Sequence, residues 1–228
     1  MAYTTFLLDL DHTLFDTDGS EVAAFEQTML AAGLQNPESY LPAYQSINLD
    51  LWAAVERGEI SPQLVRTLRF ERLVMKFDLP SDPLQMANDF VVGLGAYGDL
   101  YEGAREVLQT LSERASLAMV TNGLGEVQRS RIARLGLDEY FDAVAISAEI
   151  GTAKPDRGIF DIVFESLDSP AKESAVMVGD NLSADIRGGM NYGIATCWYN
   201  PHGRSNNGSD QGDHEIEDLR ELIELLAG

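Results

Sequence analysis

The segment Phe6-Leu7-Leu8-Asp9-Leu10-Asp11-His12-Thr13-Leu14 places two carboxylates directly behind a short apolar run. The run at 6–8 predicts a buried strand, and ligands of open α/β sheets bind at the carboxyl ends of such strands. Residues i and i+2 of a strand project to one side, so Asp9 and Asp11 are expected to face one ligand if the backbone stays extended. Two carboxylates this close repel each other unless a cation or a shared proton intervenes, which indicates a divalent metal, acid chemistry or both. Taken alone, the segment is also compatible with an ordinary turn or a helix cap.

The composition is that of a globular and strongly acidic protein. Of the 228 residues, 45% are hydrophobic, which suffices for one large domain or two small ones. There are 37 acidic residues against 16 basic ones, so the formal net charge is −21. This charge repels polyanions, and we therefore expect neither a nucleic-acid polymer nor a membrane as a partner. A small phosphorylated metabolite is compatible with it where a site supplies local positive charge. The oligomeric state stays open.

Cysteine use and hydropathy predict a cytoplasmic protein. Cys197 is the only cysteine, so no intramolecular disulfide forms, which is typical of a reducing compartment. The first residues lack a basic leader followed by a long apolar core. No apolar run has the length of a membrane span.

The pattern of apolar residues changes along the chain and predicts two domains. Residues 18–97 read as helical throughout, with predicted helix ends at Gly33 and Gly58 and predicted helix starts at Ser61-Pro62 and Asp82-Pro83. Residues 1–17 and 98–228 are predicted to form an α/β core, into which the helical segment is inserted as a cap.

From residue 98 onward, helices and strands alternate. Strands are predicted at 116–120, 143–146, 175–178 and 194–198, and helices at 103–113, 125–135, 159–167, 182–192 and 216–226. Residues 202–214 are polar and predict an exposed loop. The alternation predicts an α/β fold with a Rossmann-like parallel sheet flanked by helices, which the first strand joins, and with an inserted α-helical cap domain.

Polar residues follow the predicted strands at the points where the strands end. These residues are Thr121-Asn122-Gly123, Ala153-Lys154-Pro155 and Gly179-Asp180-Asn181, with Asp185 a little further on. Because parallel strands end on one edge of a sheet, we expect these groups to converge on Asp9 and Asp11. Taken one at a time, the first group is better explained as a turn and the second as a surface loop. The third is compatible with a helix cap, and Asp185 with a solvated helical residue.

Such a convergence suits phosphoryl transfer. A carboxylate can act as nucleophile and form an acyl phosphate, and Mg²⁺ prefers carboxylate, phosphate and water oxygens. A lysine adds a point charge beside the phosphoryl oxygens. Hydroxyl and amide groups such as those of Thr121 and Asn122 donate hydrogen bonds to the same oxygens.

In this order, the motifs resemble those of the haloacid dehalogenase-like (HAD) hydrolase superfamily over essentially the whole chain. The resemblance is carried by Asp9-Leu10-Asp11-His12-Thr13, Thr121-Asn122-Gly123, Lys154-Pro155 and Gly179-Asp180-Asn181-Leu182-Ser183-Ala184-Asp185. Within the superfamily, the chain is most similar to the pyrimidine 5′-nucleotidase branch, and the N-acylneuraminate-9-phosphatase branch looks related. The closer similarity is carried by Thr121-Asn122-Gly123, Ala153-Lys154-Pro155-Asp156 and Ala195-Thr196-Cys197-Trp198.

The resemblance implies a division of work between the first two acids. Asp9 would be the nucleophile and a magnesium ligand. Asp11 would protonate the leaving oxygen and later deprotonate the attacking water, while its main-chain carbonyl binds magnesium. Two nearby acids can share these tasks when their environments separate their pKa values.

The resemblance also implies the remaining members of the site. Thr121 and Asn122 would hold the phosphoryl oxygens, and Lys154 would neutralise charge on the phosphoryl group and the nucleophile. Asp180 would bind magnesium directly, whereas Asp185 would act outside the inner coordination sphere or through a water molecule.

The sequence therefore predicts a Mg²⁺-dependent phosphatase that acts through an aspartyl-phosphate on a small phosphomonoester, first of all a nucleoside 5′-monophosphate. Sugar phosphates and N-acylneuraminate 9-phosphate are the alternative substrates. A 2-haloacid dehalogenase, a phosphomutase and a non-enzymatic phospho-receiver are the alternative functions. Halide needs no proton to leave, so Asp11 argues against a dehalogenase, and receivers are shorter and lack a helical insertion.

Four aromatic residues of the helical segment are candidates for stacking on a base, namely Tyr40, Tyr44, Trp52 and Phe70. Packing within the helical bundle explains them as well.

Overall fold

The computed structural model describes residues 2–57, 59–206 and 212–226. The chain divides into two compact units, one formed by Met1–Thr17 with Asp99–Gly228 and the other by Asp18–Gly98. Among the described residues, none of the helices is both long enough and apolar enough to pass through a bilayer.

The first unit contains a six-stranded sheet in which every paired strand runs parallel to its neighbour. In chain order the strands are β1 (Thr5–Leu8), β2 (Ser116–Thr121), β3 (Ala143–Ile146), β4 (Ala175–Gly179), β5 (Ala195–Tyr199) and β6 (His214–Ile216). Their order in the sheet is β3-β2-β1-β4-β5-β6, so β1 lies in the interior between β2 and β4. The predicted parallel sheet flanked by helices is confirmed.

Apolar residues cover both faces of this sheet. Phe6 and Leu8 belong to one buried cluster and Leu7 to another, as expected for alternating side chains on a central strand. The helices of this unit are α5 (Ala104–Ser112), α6 (Gly125–Leu135), α7 (Ser147–Ile150), α8 (Arg157–Ser166) and α9 (Arg187–Tyr192), with 3-10 helices at Lys172–Ser174 and Leu219–Leu226 and a π-helical turn at Leu182–Ile186.

Predictions for the last part of this unit differ from the structure in detail. The exposed loop predicted at 202–214 ends earlier, because His214 belongs to β6, and its residues 207–211 lie outside the described residues. The helix predicted at 216–226 begins only at Leu219 and is a 3-10 helix, because Ile216 belongs to β6 and pairs with Tyr199 of β5. A three-residue edge strand is too short to show a period of its own. The helix predicted at 182–192 consists of the π-helical turn followed by α9.

The second unit is helical in its described residues. It contains the helices α1 (Thr17–Ala31, which begins at the last residue of the first unit), α2 (Leu41–Glu56), α3 (Pro62–Phe77) and α4 (Pro83–Ala96), with a 3-10 turn at Pro37–Ser39. The Asp82 carboxylate accepts a hydrogen bond from the Leu84 N–H and caps α4, as predicted. Gly33 follows the end of α1, and Gly58 lies outside the described residues.

Two of the aromatic candidates for base stacking serve the core of this unit instead. Tyr44 and Phe70 are fully buried, with ring centroids 5.9 Å apart. Tyr40 packs edge-on against Phe77, whereas Trp52 is 43% exposed. Packing therefore explains Tyr44 and Phe70, since a fully buried ring offers no face to a ligand.

Candidate active site

The register of the sheet brings the ends of three strands together. Leu8 pairs with Met119 of β2 and with Val178 of β4, so the residues that follow these positions reach one edge. The Asp9 N–H donates to the Val178 carbonyl at 3.0 Å, which extends the β1–β4 pairing by one bond. Asp9 is therefore fixed at the carboxyl end of the sheet, where its side chain is 9% exposed.

Three carboxylates meet at this edge. One carboxylate oxygen from each of Asp9, Asp180 and Asp185 lies within 4.8 Å of the others, and we call these three residues the carboxylate cluster. Lys154 places its Nζ 2.6 Å from Asp9 Oδ1 and 2.7 Å from Asp185 Oδ1. The lysine side chain is 2% exposed, so a buried ammonium pairs with two of the three acids.

The cluster suits a hard divalent cation. Oδ1 of Asp185 is buried, and the Lys154 ammonium lies 2.7 Å from it. A Cβ atom at Gly179 would overlap the Asp185 carboxylate, so glycine is needed there for the carboxylate to lie against β4. An all-oxygen donor set with an excess of negative charge is what Mg²⁺ prefers in proteins.

Burial and charge act on the ionisation of these groups. Burial raises the pKa of Asp9 well above its usual value, and Asp185 and Asp11 add to the rise while Lys154 opposes it. Burial and Asp185 likewise raise the pKa of Asp180. Burial by itself would lower the pKa of Lys154, but the neighbouring carboxylates outweigh burial and raise that pKa. The lysine therefore stays charged, while its acidic neighbours carry unrelieved repulsion.

Asp11 faces a different set of partners. Asp9 and Asp11 were expected to face one ligand only if the backbone stayed extended, and β1 ends before them at Leu8; His12, which follows Asp11, has a positive φ of 60°. The Asp11 carboxylate instead accepts hydrogen bonds from Gln128 and Arg131 of α6, both at 2.5 Å. Its side chain does not belong to the carboxylate cluster found among the described residues.

The two residues predicted to hold phosphoryl oxygens lie at the end of β2. The Thr121 hydroxyl is buried and accepts a hydrogen bond from Gln128 at 2.8 Å. The Asn122 side chain accepts from the Lys154 N–H and donates to the Lys154 carbonyl, each at 2.9 Å. The Asn122 amide thus fixes the backbone that carries the lysine.

Further residues take part that the sequence did not single out. Thr13 accepts from the Asp180 N–H at 3.0 Å and donates to Asp9 Oδ2 at 3.4 Å, so it links two members of the cluster. Thr13 belongs to the first motif, and its position there could have identified it as a site residue. The spacing of Gln128 and Arg131 places them on one face of a helix, but no local pattern relates that face to Asp11.

Trp198 and Arg204 also contact Asp180. Its main-chain carbonyl accepts hydrogen bonds from Trp198 Nε1 and from Arg204, both at 2.9 Å. The Arg204 guanidinium also lies 3.2 Å from Asp180 Oδ2. These three residues border a cavity of about 320 Å³ whose other lining residues are Asn181, Leu182, Ser183 and Ser205.

The chain is similar to known proteins in both sequence and fold. The profile of the haloacid dehalogenase-like hydrolase family matches residues 6–199 of the chain. The pyrimidine 5′-nucleotidase PynA of Streptococcus pneumoniae is 36% identical over 227 residues, which cover 99% of this chain and 96% of that protein. The pyrimidine 5′-nucleotidase YjjG of Escherichia coli is 30% identical over 226 residues, which cover 99% of each. The crystal structure of the HAD-hydrolase YfnB from Bacillus subtilis bound to magnesium has a TM-score of 0.91 at 30% identity and 99% coverage of both chains.

Proposed function

We propose that this chain, which belongs to the haloacid dehalogenase-like hydrolase family and is a phosphoric monoester hydrolase, removes phosphate from nucleoside 5′-monophosphates. The observation that carries the proposal is the carboxylate cluster with Lys154 as its one buried ammonium. The similarity to the two pyrimidine 5′-nucleotidases supports a pyrimidine base in the leaving group.

The proposed reaction has two displacements at phosphorus. A carboxylate oxygen of Asp9 attacks, the P–O bond to the ester oxygen breaks, and that oxygen leaves with a proton from Asp11. The phosphoryl group then resides on Asp9 as an acyl phosphate. Water attacks the same phosphorus and gives a proton to Asp11, so inorganic phosphate leaves and both acids return to their first state.

The surrounding residues lower the charge barrier to this attack. Lys154 lies 2.6 Å from the proposed nucleophile and would contact the phosphoryl oxygens as they approach. Thr121 would donate its hydroxyl to the same oxygens. Because the Asn122 side chain holds Lys154, we propose that Asn122 serves the phosphoryl group by fixing the lysine and through its main chain.

The proposed cofactor is Mg²⁺, whose ligands would be the carboxylates of Asp9 and Asp180 and the main-chain carbonyl of Asp11. Asp185 accepts from the Asn181 N–H at 3.0 Å and pairs with Lys154, so we propose that it acts through water or by orienting the other ligands. When bound, the cation would offset the repulsion between these acids and the phosphate dianion.

A phosphate-release screen tests the proposal. The chain would be assayed with Mg²⁺ or with EDTA on pyrimidine and purine nucleoside monophosphates, sugar phosphates and N-acylneuraminate 9-phosphate. We expect Mg²⁺-dependent turnover with the highest kcat/KM on pyrimidine nucleoside monophosphates. A higher kcat/KM on a sugar phosphate would mean that sugar phosphates, and not nucleoside monophosphates, are the substrate class. Chloride release from 2-chloropropionate without phosphate release from any ester would overturn the proposed reaction.

A further inference from the structure

We infer that Gln128 and Arg131, which lie on one face of α6, are positioning residues that orient Asp11 and Thr121 for the reaction. The inference rests on the proposed function, because it concerns how that reaction's acid and its phosphoryl-binding hydroxyl are held. Gln128 and Arg131 lie three residues apart on a helix, which places their side chains side by side. α6 would thus be a functional element of the site as well as a cover for the sheet.

The Asp11 carboxylate is held at both of its oxygens. Arg131 Nη1 donates to Oδ1 and Gln128 Nε2 donates to Oδ2, each at 2.5 Å, while the Thr17 hydroxyl donates to Oδ1 at 2.7 Å. Rotation of the carboxylate in either direction would break at least one of these bonds. The orientation of Asp11 is therefore set by α6 and Thr17, since charge-assisted hydrogen bonds of this kind are the strong ones in proteins.

Gln128 connects the acid to the phosphoryl pocket. The same Nε2 that donates to Asp11 also donates to the Thr121 hydroxyl oxygen at 2.8 Å. Because that oxygen accepts a hydrogen bond from Gln128, the Thr121 hydroxyl has to direct its own O–H elsewhere. A Cβ atom at Gly123 would lie 2.7 Å from Gln128 Nε2, so the glycine of the second motif leaves room for this amide.

The burial of Arg131 supports a role in holding Asp11. Its side chain is 3% exposed, and its guanidinium lies 4.3 Å from the centroid of the Phe15 ring. A buried guanidinium is costly unless it is paired, and Asp11 supplies the pairing carboxylate. Arg131 also donates to Gln128 Oε1 at 3.3 Å, which closes a ring of three side chains.

A neighbouring arginine offers a matched control. Arg129 lies on the same helix, but its side chain is 52% exposed and pairs with Glu149 at 2.6 Å. Arg129→Gln therefore removes the same functional group from the same helix without touching Asp11. We expect its kinetic constants to equal those of the wild-type chain, since surface ion pairs contribute little.

The test measures kcat and KM on a nucleoside monophosphate and on an activated aryl phosphate, whose leaving group needs less protonation. We expect Arg131→Gln to lower kcat on the nucleotide by about 30-fold and on the aryl ester by less than about fivefold, with KM unchanged. Gln128→Leu should lower kcat and also raise KM on both esters, because it releases Thr121. Arg131→Lys, which keeps one charged donor, should restore part of the activity and replaces Arg131→Gln if that variant does not fold.

A double-mutant cycle decides whether Arg131 acts through the acid. In an Asp11→Asn background, Arg131→Gln should change kcat by less than about twofold, because the residue that it positions is already inactive. The same fold loss in both backgrounds, or an equal loss on both esters, would overturn the inference. If the wild-type chain released no phosphate from any monoester, the proposed function itself would fail, and the two failures are thereby distinguished.

Discussion

Each unit of the molecule buries a network of polar side chains, and the two networks differ in charge balance. In the helical unit, Glu21 accepts hydrogen bonds from Tyr44 at 2.7 Å and from Asn48 at 2.9 Å. Arg69 donates to the Tyr44 hydroxyl at 3.0 Å and lies 3.7 Å from the Glu21 carboxylate. We call these four residues the helical-unit network, and it contains one carboxylate and one guanidinium.

The carboxylate cluster is unbalanced by comparison. It combines three acids with the Lys154 ammonium, which pairs with Asp9 and Asp185, while the half-exposed Arg204 contacts Asp180 at the outer edge. A network whose charges balance needs no added ion, whereas an excess of buried negative charge is stable only with protons or a cation. Charge balance, rather than burial of polar groups as such, therefore distinguishes the candidate site from a structural network in this protein.

The largest effect should separate the two networks by activity. Asp9→Asn removes the proposed nucleophile and should lower turnover of an aryl phosphate by at least about 10³-fold. Glu21→Gln removes the carboxylate of the helical-unit network and should lower it by less than about tenfold, because no reacting atom is lost. Phosphate release measures both, and circular dichroism checks that both variants fold. Similar losses of turnover in the two variants would contradict the distinction between a catalytic cluster and a structural network.

The next effect concerns stability and removes the cation of each network. Lys154→Met should cost about 3 kcal/mol in the absence of Mg²⁺, and Arg69→Met about 2 kcal/mol because Glu21 is partly exposed to water. Added Mg²⁺ should recover part of the loss in Lys154→Met, since it supplies the missing positive charge, and none in Arg69→Met. Urea unfolding with and without Mg²⁺ measures this. Equal recovery in both variants would contradict the assignment of the metal to the carboxylate cluster.

A third effect is the pH dependence of stabilisation by Mg²⁺. The pKa values of Asp9 and Asp180 are raised in the folded state, so the folded protein holds protons more tightly than the unfolded chain does. Their contribution to stability is complete below about pH 4, the pKa of an unfolded aspartate, and is lost as pH rises through the raised values. At 100 times its Kd, Mg²⁺ should stabilise the protein by about 2.7 kcal/mol at pH 7.5. At pH 5 protons compete with Mg²⁺ for these carboxylates, so thermal unfolding should show a smaller stabilisation by Mg²⁺ than at pH 7.5. An equal stabilisation at both pH values would argue against Asp9 and Asp180 as ligands.

The smallest effect lies at the outer edge of the cluster. Arg204→Gln removes a half-exposed guanidinium 3.2 Å from Asp180 Oδ2 and should cost less than about 1 kcal/mol in stability. Because a competing cation is lost, the affinity for Mg²⁺ should rise by up to about fivefold. Titration calorimetry measures the Kd of Mg²⁺, with Arg129→Gln as the control. A weaker Kd in Arg204→Gln would mean that Arg204 holds Asp180 in place rather than competing with the metal.

Much of the core could be predicted from the sequence. The helix at 125–135 and the strand at 143–146 agree with α6 and β3 to the residue, because their apolar periods and their glycine and turn boundaries are local signals. The predicted family is confirmed, since the four motifs depend only on residue identity and order. The division of the chain at residues 17 and 98, and the roles of the individual site residues, stay predictions.

The partners of the site residues could not be predicted in the same way. The i, i+2 rule applies to Asp9 and Asp11 only while the strand continues, but β1 ends at Leu8 and the Asp11 carboxylate bonds to α6. The Asn122 amide forms hydrogen bonds with the Lys154 backbone, and no spacing along the chain predicts that contact. β6 escaped detection because its pairing with β5 defines it, not any pattern in its three residues.

The amino-acid sequence alone was enough to identify the chemical groups of the site and their order along the chain, because periodicity and motif identity are local properties. Only the tertiary structure decided which oxygen meets which cation. The ion pair of Lys154 with Asp9 and that of Arg131 with Asp11 join segments far apart in the chain. Contacts of that kind depend on how helices pack against the sheet, and the free energy that selects them comes from the whole fold rather than from any one segment.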